Sequence, residues 1–263
     1  MGLLAEKRYT YILSQLRANG RILVAKIAQD LGVTEVTIRR DLSYLQKNTL
    51  LKKTYGGAVL AEPDFDISAH YRQTRNLKAK KIIGKLASRL IKDGDIVYFE
   101  AGSTCNEILP YIKDRKNLTV LVNSLYLMRR LHEMANHKII IIGGQYRPER
   151  MDLVGPTAEE TIAQLGGFKA FTGADDISIP SGISGADVVT VGFAKLILQR
   201  ASEVIFVGDH TKFNKPALYK IADIDQLDYI VTDSKPSPEW LAVSAEKNIN
   251  LLYPTNQELE IDN

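Results

Sequence analysis

Residues 33–60 read VTEVTIRRDLSYLQKNTLLKKTYGGAVL, and the rest of the chain is best understood outward from them. Thr34 is a good helix N-cap, and Ile38, Leu42 and Leu45 follow at helical spacing. This predicts a helix that buries Val33, Ile38, Leu42 and Leu45 and leaves Glu35, Val36, Thr37, Arg39 and Arg40 on or near its outer face. After it, LLKKTYGGAVL reads as two short extended runs around a Gly-Gly turn, a hairpin or wing. On the N-terminal side, Val24, Ile27, Ala28 and Leu31 mark a second helix ended by Gly32. Only Gly32-Val33-Thr34 separates the two, the short glycine-containing turn of a helix-turn-helix. A first helix carries Tyr9, Ile12, Leu13 and Leu16 and stops at Asn19-Gly20. Residues 1–60 are thus expected to form a winged helix-turn-helix.

Charge supports a partner for this piece. The whole chain of 263 residues carries a formal +3, with 45% hydrophobic and 25% charged residues. Residues 1–60, however, hold 10 Lys+Arg against 4 Asp+Glu, a net +6, while residues 61–263 carry −3. A basic small piece on an acidic larger one is the footprint of an end that meets a polyanion. In a helix-turn-helix the first turns of the last helix face base edges in the major groove. Arg39 and Arg40 are placed for phosphate contact or for bidentate pairing with guanine, and Val36 and Thr37 for a thymine methyl. Glu35 shares their face. Arg21 and Lys26 before the second helix, with Lys52 and Lys53 on the wing, would hold flanking phosphates. Double-stranded operator DNA is the expected partner.

The run from Tyr11 to Leu60, above all VTEVTIRRDLSYL and LLKKTYGGAVL, resembles the winged helix-turn-helix of the DeoR family of transcriptional regulators. The resemblance implies that Thr37, Arg39 and Arg40 contact DNA. A glycine is usual before the Leu-Leu pair; Thr49 stands there, and since a β-branched residue disfavours positive φ the turn is expected to shift to Asn48.

Residues 61–76 are polar without sustained periodicity and read as a linker. From Leu77 to about residue 255 short β-rich runs (95–100, 118–123, 138–143, 169–173, 203–208, 229–232) alternate with amphipathic stretches (78–92, 104–113, 124–135, 157–165, 188–202, 236–247). That alternation predicts an α/β fold with a mostly parallel sheet covered on both faces, a C-terminal αβα sandwich. Ile139-Ile140-Ile141-Ile142 suits a central strand buried on both sides. Several junctions then fall on the edge formed by the strands' C-terminal ends, where ligands bind in open parallel sheets. Gly102, Ser103 and Thr104 would offer N–H groups and hydroxyls at a helix N-terminus, a phosphate cradle. Lys212 would add charge, Asn123 and Asp209 would bond sugar hydroxyls, and Ser124 and the Gly143-Gly144 pair lie at neighbouring strand ends.

The family resemblance continues through AGST, VNS, IIGG, LVG, GDHTKF and YIVTD to about Asp233. It implies a sugar-phosphate isomerase-like fold, similar to ribose-5-phosphate isomerase, that senses a phosphorylated sugar or polyol. Carried over, Glu100, Gly102, Ser103, Thr104, Asn123, Ser124, Gly144, Asp209 and Lys212 become effector contacts, with Glu100 standing where Asp is usual.

Other chemistries fit less well. One cysteine, Cys105, excludes an internal disulfide and a multi-cysteine zinc site. It sits at the expected helix start, which would lower its pKa, although a small packed residue is the plainer reading. His70, His132, His137 and His210 lack ligand companions at metal spacing, so no metal and no cofactor are expected. IIIIGGQYRPER lacks the glycine order of a dinucleotide fingerprint. With no bilayer-spanning apolar run and no secretory signal pattern, a cytoplasmic protein without a membrane partner is expected. The rival is an isomerase-like enzyme using Glu100 or Asp209 with Lys212 beside an appended DNA-binding module. One helix-turn-helix module buries only ~600–1,000 Å² on DNA, so a homodimer or homotetramer joined through residues 77–255 is expected.

Overall fold

A computed structural model describes residues 5–19, 21–47, 51–59, 73, 75–132, 134, 137–148 and 150–255. The chain divides into two compact units, Met1–Arg72 and Gln73–Asn263. Asn48, Thr49 and most of the 61–76 segment lie outside the described residues.

The first unit contains helices α1 (Ala5–Asn19), α2 (Val24–Leu31) and α3 (Glu35–Lys47) and strands β1 (Arg21–Leu23), β2 (Lys52–Thr54) and β3 (Gly57–Val59). Gly32 closes α2 in the left-handed conformation, φ 63°, returning its N–H to the carbonyls of Ala28 and Gln29. Thr34 Oγ1 accepts from the Thr37 N–H at 3.3 Å, a first-turn cap for α3. Ile12, Leu16, Ile27, Ile38, Leu42, Leu45, Leu51 and Ala58 form one buried cluster, so the apolar periodicity resolves into a real core. The wing is more than a hairpin. Arg21 does not simply precede α2; it opens β1, which pairs antiparallel with β3 and makes a three-stranded sheet in the order β1-β3-β2. Gly57 permits this, because a Cβ there would lie 2.0 Å from the Ile22 carbonyl oxygen.

The second unit is built on a seven-stranded sheet of β4 (Ile96–Phe99), β5 (Thr119–Val122), β6 (Lys138–Ile141), β9 (Phe168–Thr172), β12 (Ala201–Val207), β14 (Tyr229–Val231) and β15 (Asn250–Leu252). Their order is β15-β14-β12-β9-β4-β5-β6, and every neighbouring pair is parallel. Alternate residues face opposite cores, as strand geometry requires. Tyr98, Leu121, Ala170 and Phe206 join one cluster with α6 (Pro156–Ala163), α7 (Val188–Arg200) and α8 (Pro238–Glu246). Val97, Phe99, Val122, Phe171 and Ile205 join the other with α4 (Leu77–Ala87) and α5 (Leu125–Leu131). Trp240 is sealed in the first core, edge-on to Phe213. A hairpin of β7 (Gln145–Arg147) with β8 (Asp152–Val154) is added, as is an antiparallel sheet of β10 (Asp176–Ser178), β11 (Gly182–Gly185) and β13 (Tyr219–Ala222).

Two expectations are corrected. The isoleucine strand β6 is not central but an edge, with Ile141 42% exposed. A continuous apolar run fits a buried strand, but the order of strands in a sheet is set by crossovers that no single run encodes. Residues 104–113 form no α-helix. Two 3₁₀ turns, Cys105–Glu107 and Leu109–Tyr111, stand in its place. Pro110 supplies no N–H there, and the bonds run three residues back, from Ile108 to Cys105 and from Tyr111 to Ile108.

Candidate functional site

In the first unit the outer face of α3 is as the periodicity predicts. Glu35, Val36, Arg39 and Arg40 are exposed, Val36 by 75%, and Thr37 is half-buried. Two internal partnerships modify the expected roles. Arg39 forms an i,i+4 ion pair with Glu35 at 3.0 Å, while Lys53 Nζ donates to Ser43 Oγ at 2.9 Å. Lys53 thus ties the wing to α3 as well as adding charge; Arg21 and Lys52 remain exposed. Lys26 pairs with Asp30. Asp41, which no sequence argument used, is 3% exposed and takes both ends of the Arg8 guanidinium, at 2.7 and 3.0 Å. This buried fork fixes α3 against α1. Beside it Tyr9 stacks on Tyr44 with ring centroids 4.9 Å apart.

In the second unit the C-terminal ends of β4, β5, β9 and β12 bring together several of the predicted residues. The 101–104 loop leaves β4 with the Gly102 N–H donating to the Glu100 carbonyl at 2.6 Å, and the hydroxyls of Ser103 and Thr104 bond to no described residue. Without an α-helix behind it, this loop offers no helix-dipole cradle, only its own N–H and O–H groups. Cys105 is fully buried with Sγ 3.4 Å from the Phe171 carbonyl oxygen, and burial pushes its thiol well up, not down. Asp209 is buried after β12. Burial alone would raise its carboxyl; hydrogen bonds from the Thr211 hydroxyl and N–H and from Asn76, with the nearby Lys212 charge, hold it below the ordinary value. Lys212 Nζ donates to the Asp175 carbonyl at 3.3 Å.

Three predicted contacts also carry structural roles. Asn123 accepts from the Tyr98 hydroxyl at 3.0 Å and donates to the Leu153 carbonyl at 3.0 Å, which fastens β8 and leaves a second N–H and lone pair at the cavity wall. Ser124 caps α5 through the Leu127 N–H. Gly144 sits where a Cβ would meet the Val154 carbonyl oxygen at 2.6 Å, so its lack of a side chain serves backbone packing.

Beside these lies a cavity of about 10 Å³, the room of a single water, lined by Tyr98, Glu100, Asn123, Arg150, Asp152, Thr172 and Thr190 among others. Glu100 accepts from the Gly173 N–H and from Thr172 Oγ1, yet burial keeps its carboxyl above the ordinary value. Asp152 and Val154 of β8 line this space, and Arg147 of β7 pairs with Asp152 at 2.6 Å and Asp187 at 2.5 Å. Asp187 also caps α7, and it is held down to about 2 because the hydrogen bonds of Thr190 and Arg147 outweigh the cost of its burial. A roomier hollow of about 150 Å³ lies at the ends of β12 and β14, lined by His210, Asn214, Ser234, Lys235, Ser237 and Trp240 among others. His210 there bonds Asp233 at 2.8 Å.

Sequence reasoning missed Lys80. Its side chain starts on α4 and is buried, 5% exposed, with Nζ donating to the Arg75 carbonyl at 2.6 Å. Desolvation lowers its pKa to about 8, partly opposed by the Asp209 carboxylate and reinforced by Lys212 and Arg75. On the sequence Lys80 is one of several lysines in an amphipathic helix, with nothing to mark it. Arg147 and Arg150 did carry a signal, two arginines within six residues of the Gly143-Gly144 turn. Among the described residues no group of three His, Cys, Asp or Glu could hold a metal ion, and no helix is long and apolar enough to cross a membrane.

Residues 8–64 match the DeoR-like helix-turn-helix domain and residues 75–234 the DeoR C terminal sensor domain. The chain is 30% identical over 241 residues to the HTH-type transcriptional regulator IolR of Bacillus subtilis (strain 168), covering 92% of this chain and 94% of that one. It is 31% identical to the lactose phosphotransferase system repressor of Lactococcus lactis subsp. lactis, covering 90% and 94%. Among solved structures it is similar to ribose 5-phosphate isomerase A of Methanocaldococcus jannaschii, with a TM-score of 0.40, 16% identity and coverage of 53% and 56%.

Proposed function

The chain belongs to the DeoR family of transcriptional regulators, and from that premise we propose that it represses a sugar or polyol catabolic operon and leaves its operator when a phosphorylated effector binds. It is a DNA-binding regulator. The observation that carries the effector is a buried ammonium, Lys80, beside Asp209 and Lys212, at the sheet edge to which the 101–104 loop also belongs. Such a set suits a phosphate dianion, and the polar cavity around Glu100 and Asn123 suits a polyhydroxyl chain. A repressor among the relatives, that of the lactose phosphotransferase system, supports the sugar class.

The cavity as it stands admits about one water, too little for a sugar phosphate. A ligand that prefers one arrangement of these loops or of the β7–β8 hairpin is what a switch requires. Thr37, Arg39 and Arg40 would read bases or phosphates, with Glu35 and Val36 on the same face, and Arg21, Lys52 and Lys53 would meet flanking phosphates. We read the chain as a cytoplasmic homodimer or homotetramer, since one module is small for tight operator binding. We also read it as a sensor that turns nothing over.

The test pairs a thermal-shift screen of sugar phosphates with affinity for an operator selected from random duplexes. An effector at a hundred times its Kd adds about 2.7 kcal/mol of stability, and the same compound should weaken operator binding. A ligand that binds without changing operator affinity overturns the repressor mechanism. Turnover of a sugar phosphate that disappears in Glu100→Gln or Asp209→Asn overturns the sensor and restores the isomerase.

A further inference from the structure

We propose that helix α4 couples an anion held by the 101–104 and 209–212 loops to the chain segment that leads to the DNA-binding unit, with the Asn76–Asp209 hydrogen bond as its latch. The inference rests on the reading of that sheet edge as the effector site.

Two contacts place α4 against both loops. Near its C-terminal end, Gly84 lies so close to the turn after Thr104 that a Cβ would sit 2.0 Å from the Glu107 carbonyl oxygen and 2.5 Å from its carbon. Backbone rests on backbone there, with no flexible side chain to absorb a displacement of the turn. At its N-terminal end, Asn76 holds Asp209 Oδ2 through Nδ2 at 3.3 Å, and the other Asp209 oxygen is taken by Thr211. Asn76 is left-handed, φ 51°, and its carbonyl accepts the Lys80 N–H at 3.1 Å. Lys80 then folds back to the Arg75 carbonyl at 2.6 Å. The first turn of α4 is thus built from groups that face the Asp209 loop.

Charge gives the direction. Lys80, Lys212 and Arg75 repel one another beside the Asp209 and Glu107 carboxylates. A dianion between the loops neutralises that excess and tightens the α4 start. Residues 65–74 alone separate the two family matches, so Arg75, Asn76 and the first turn of α4 follow that segment directly in the chain. Contact at both ends gives α4 a continuous path between the two loops.

The experiment is hydrogen exchange on the full chain with inorganic phosphate, with ribose 5-phosphate and with chloride. At least one of the first two should slow exchange at residues 101–108 and, about fivefold or more, at residues 77–83. Asn76→Gly keeps the left-handed backbone and removes the amide. It should retain slowing at 101–108 and lose most of it at 77–83. If Asn76→Gly loses its cooperative unfolding transition, Asn76→Asp, which repels Asp209, serves for the same readout. Slowing at 101–108 with none at 77–83 in the unmodified chain, or a full response in the variant, overturns the coupling. No slowing at 101–108 with either phosphate removes the effector-site reading itself, and the coupling with it.

Discussion

The Arg8–Asp41 fork offers the sharpest test of how the recognition helix is held. Asp41 is 3% exposed and the Arg8 side chain is also largely covered, so this is a buried pair, not a surface one. Two charge-assisted bonds join them, at 2.7 and 3.0 Å. Such bonds contribute about 1.5–3 kcal/mol each, and removing one partner of a buried pair costs about 3–5 kcal/mol because the other charge stays desolvated. Asp41→Ala should therefore lower the stability of the Met1–Arg72 unit by that amount. For a unit of this size, about 4–8 °C of midpoint per kcal/mol makes the shift at least about 12 °C. Calorimetry on the full chain should show an early transition moved down and a later one unmoved. DNA binding should fail at temperatures where the unmodified chain binds, while Asp41 itself never touches DNA. The double variant Arg8→Met with Asp41→Leu should recover much of the loss, since an apolar pair of similar volume can replace a buried ion pair. A midpoint shift of only a degree or two for Asp41→Ala, or no recovery in the double variant, would refute the reasoning.

Further outcomes follow from the same geometry. Arg40→Ala should weaken operator binding by about 1–3 kcal/mol if its contact is bidentate to guanine, whereas Lys52→Ala should reduce the salt slope by about one; titrations at several salt concentrations separate the two. Glu35→Ala frees Arg39 from its exposed ion pair and removes a negative charge, so DNA affinity should rise slightly, and a fall would show that Glu35 positions Arg39. Lys80 carries a pKa lowered to about 8. Since the unfolded chain then binds the proton more tightly, its contribution should raise stability as pH climbs from about 8 to 10.5, by about 3 kcal/mol in all. Lys80→Met should remove that rise, as read by denaturant titrations across the range, and anion binding should weaken as pH passes 8. Gly84→Ala should destabilise the second unit by several kcal/mol, because the new methyl meets backbone that cannot turn away, and an unchanged midpoint would contradict the close approach.

What the sequence determined by itself was everything local. Helical spacing in VTEVTIRRDLSYL, the Gly32 stop and the charge imbalance of residues 1–60 are properties of neighbours in the chain, and they specify the helix-turn-helix and its outward residues. Alternation of strand and helix likewise specifies a parallel sheet, and so which loops share an edge. What only tertiary structure decided was which polar group spends itself on which partner. Asn123 and Ser124 look unengaged until β8 and α5 bond to them, and Gly144 looks like a loop glycine until Val154 comes within reach. Asp41 and Lys80 look like surface charges until Arg8 and the Asp209 loop surround them. The order of strands was equally hidden, so four isoleucines in a row ended at an edge. Hydrogen bonds and desolvation depend on groups brought together from distant parts of the chain, and local periodicity carries no record of that meeting.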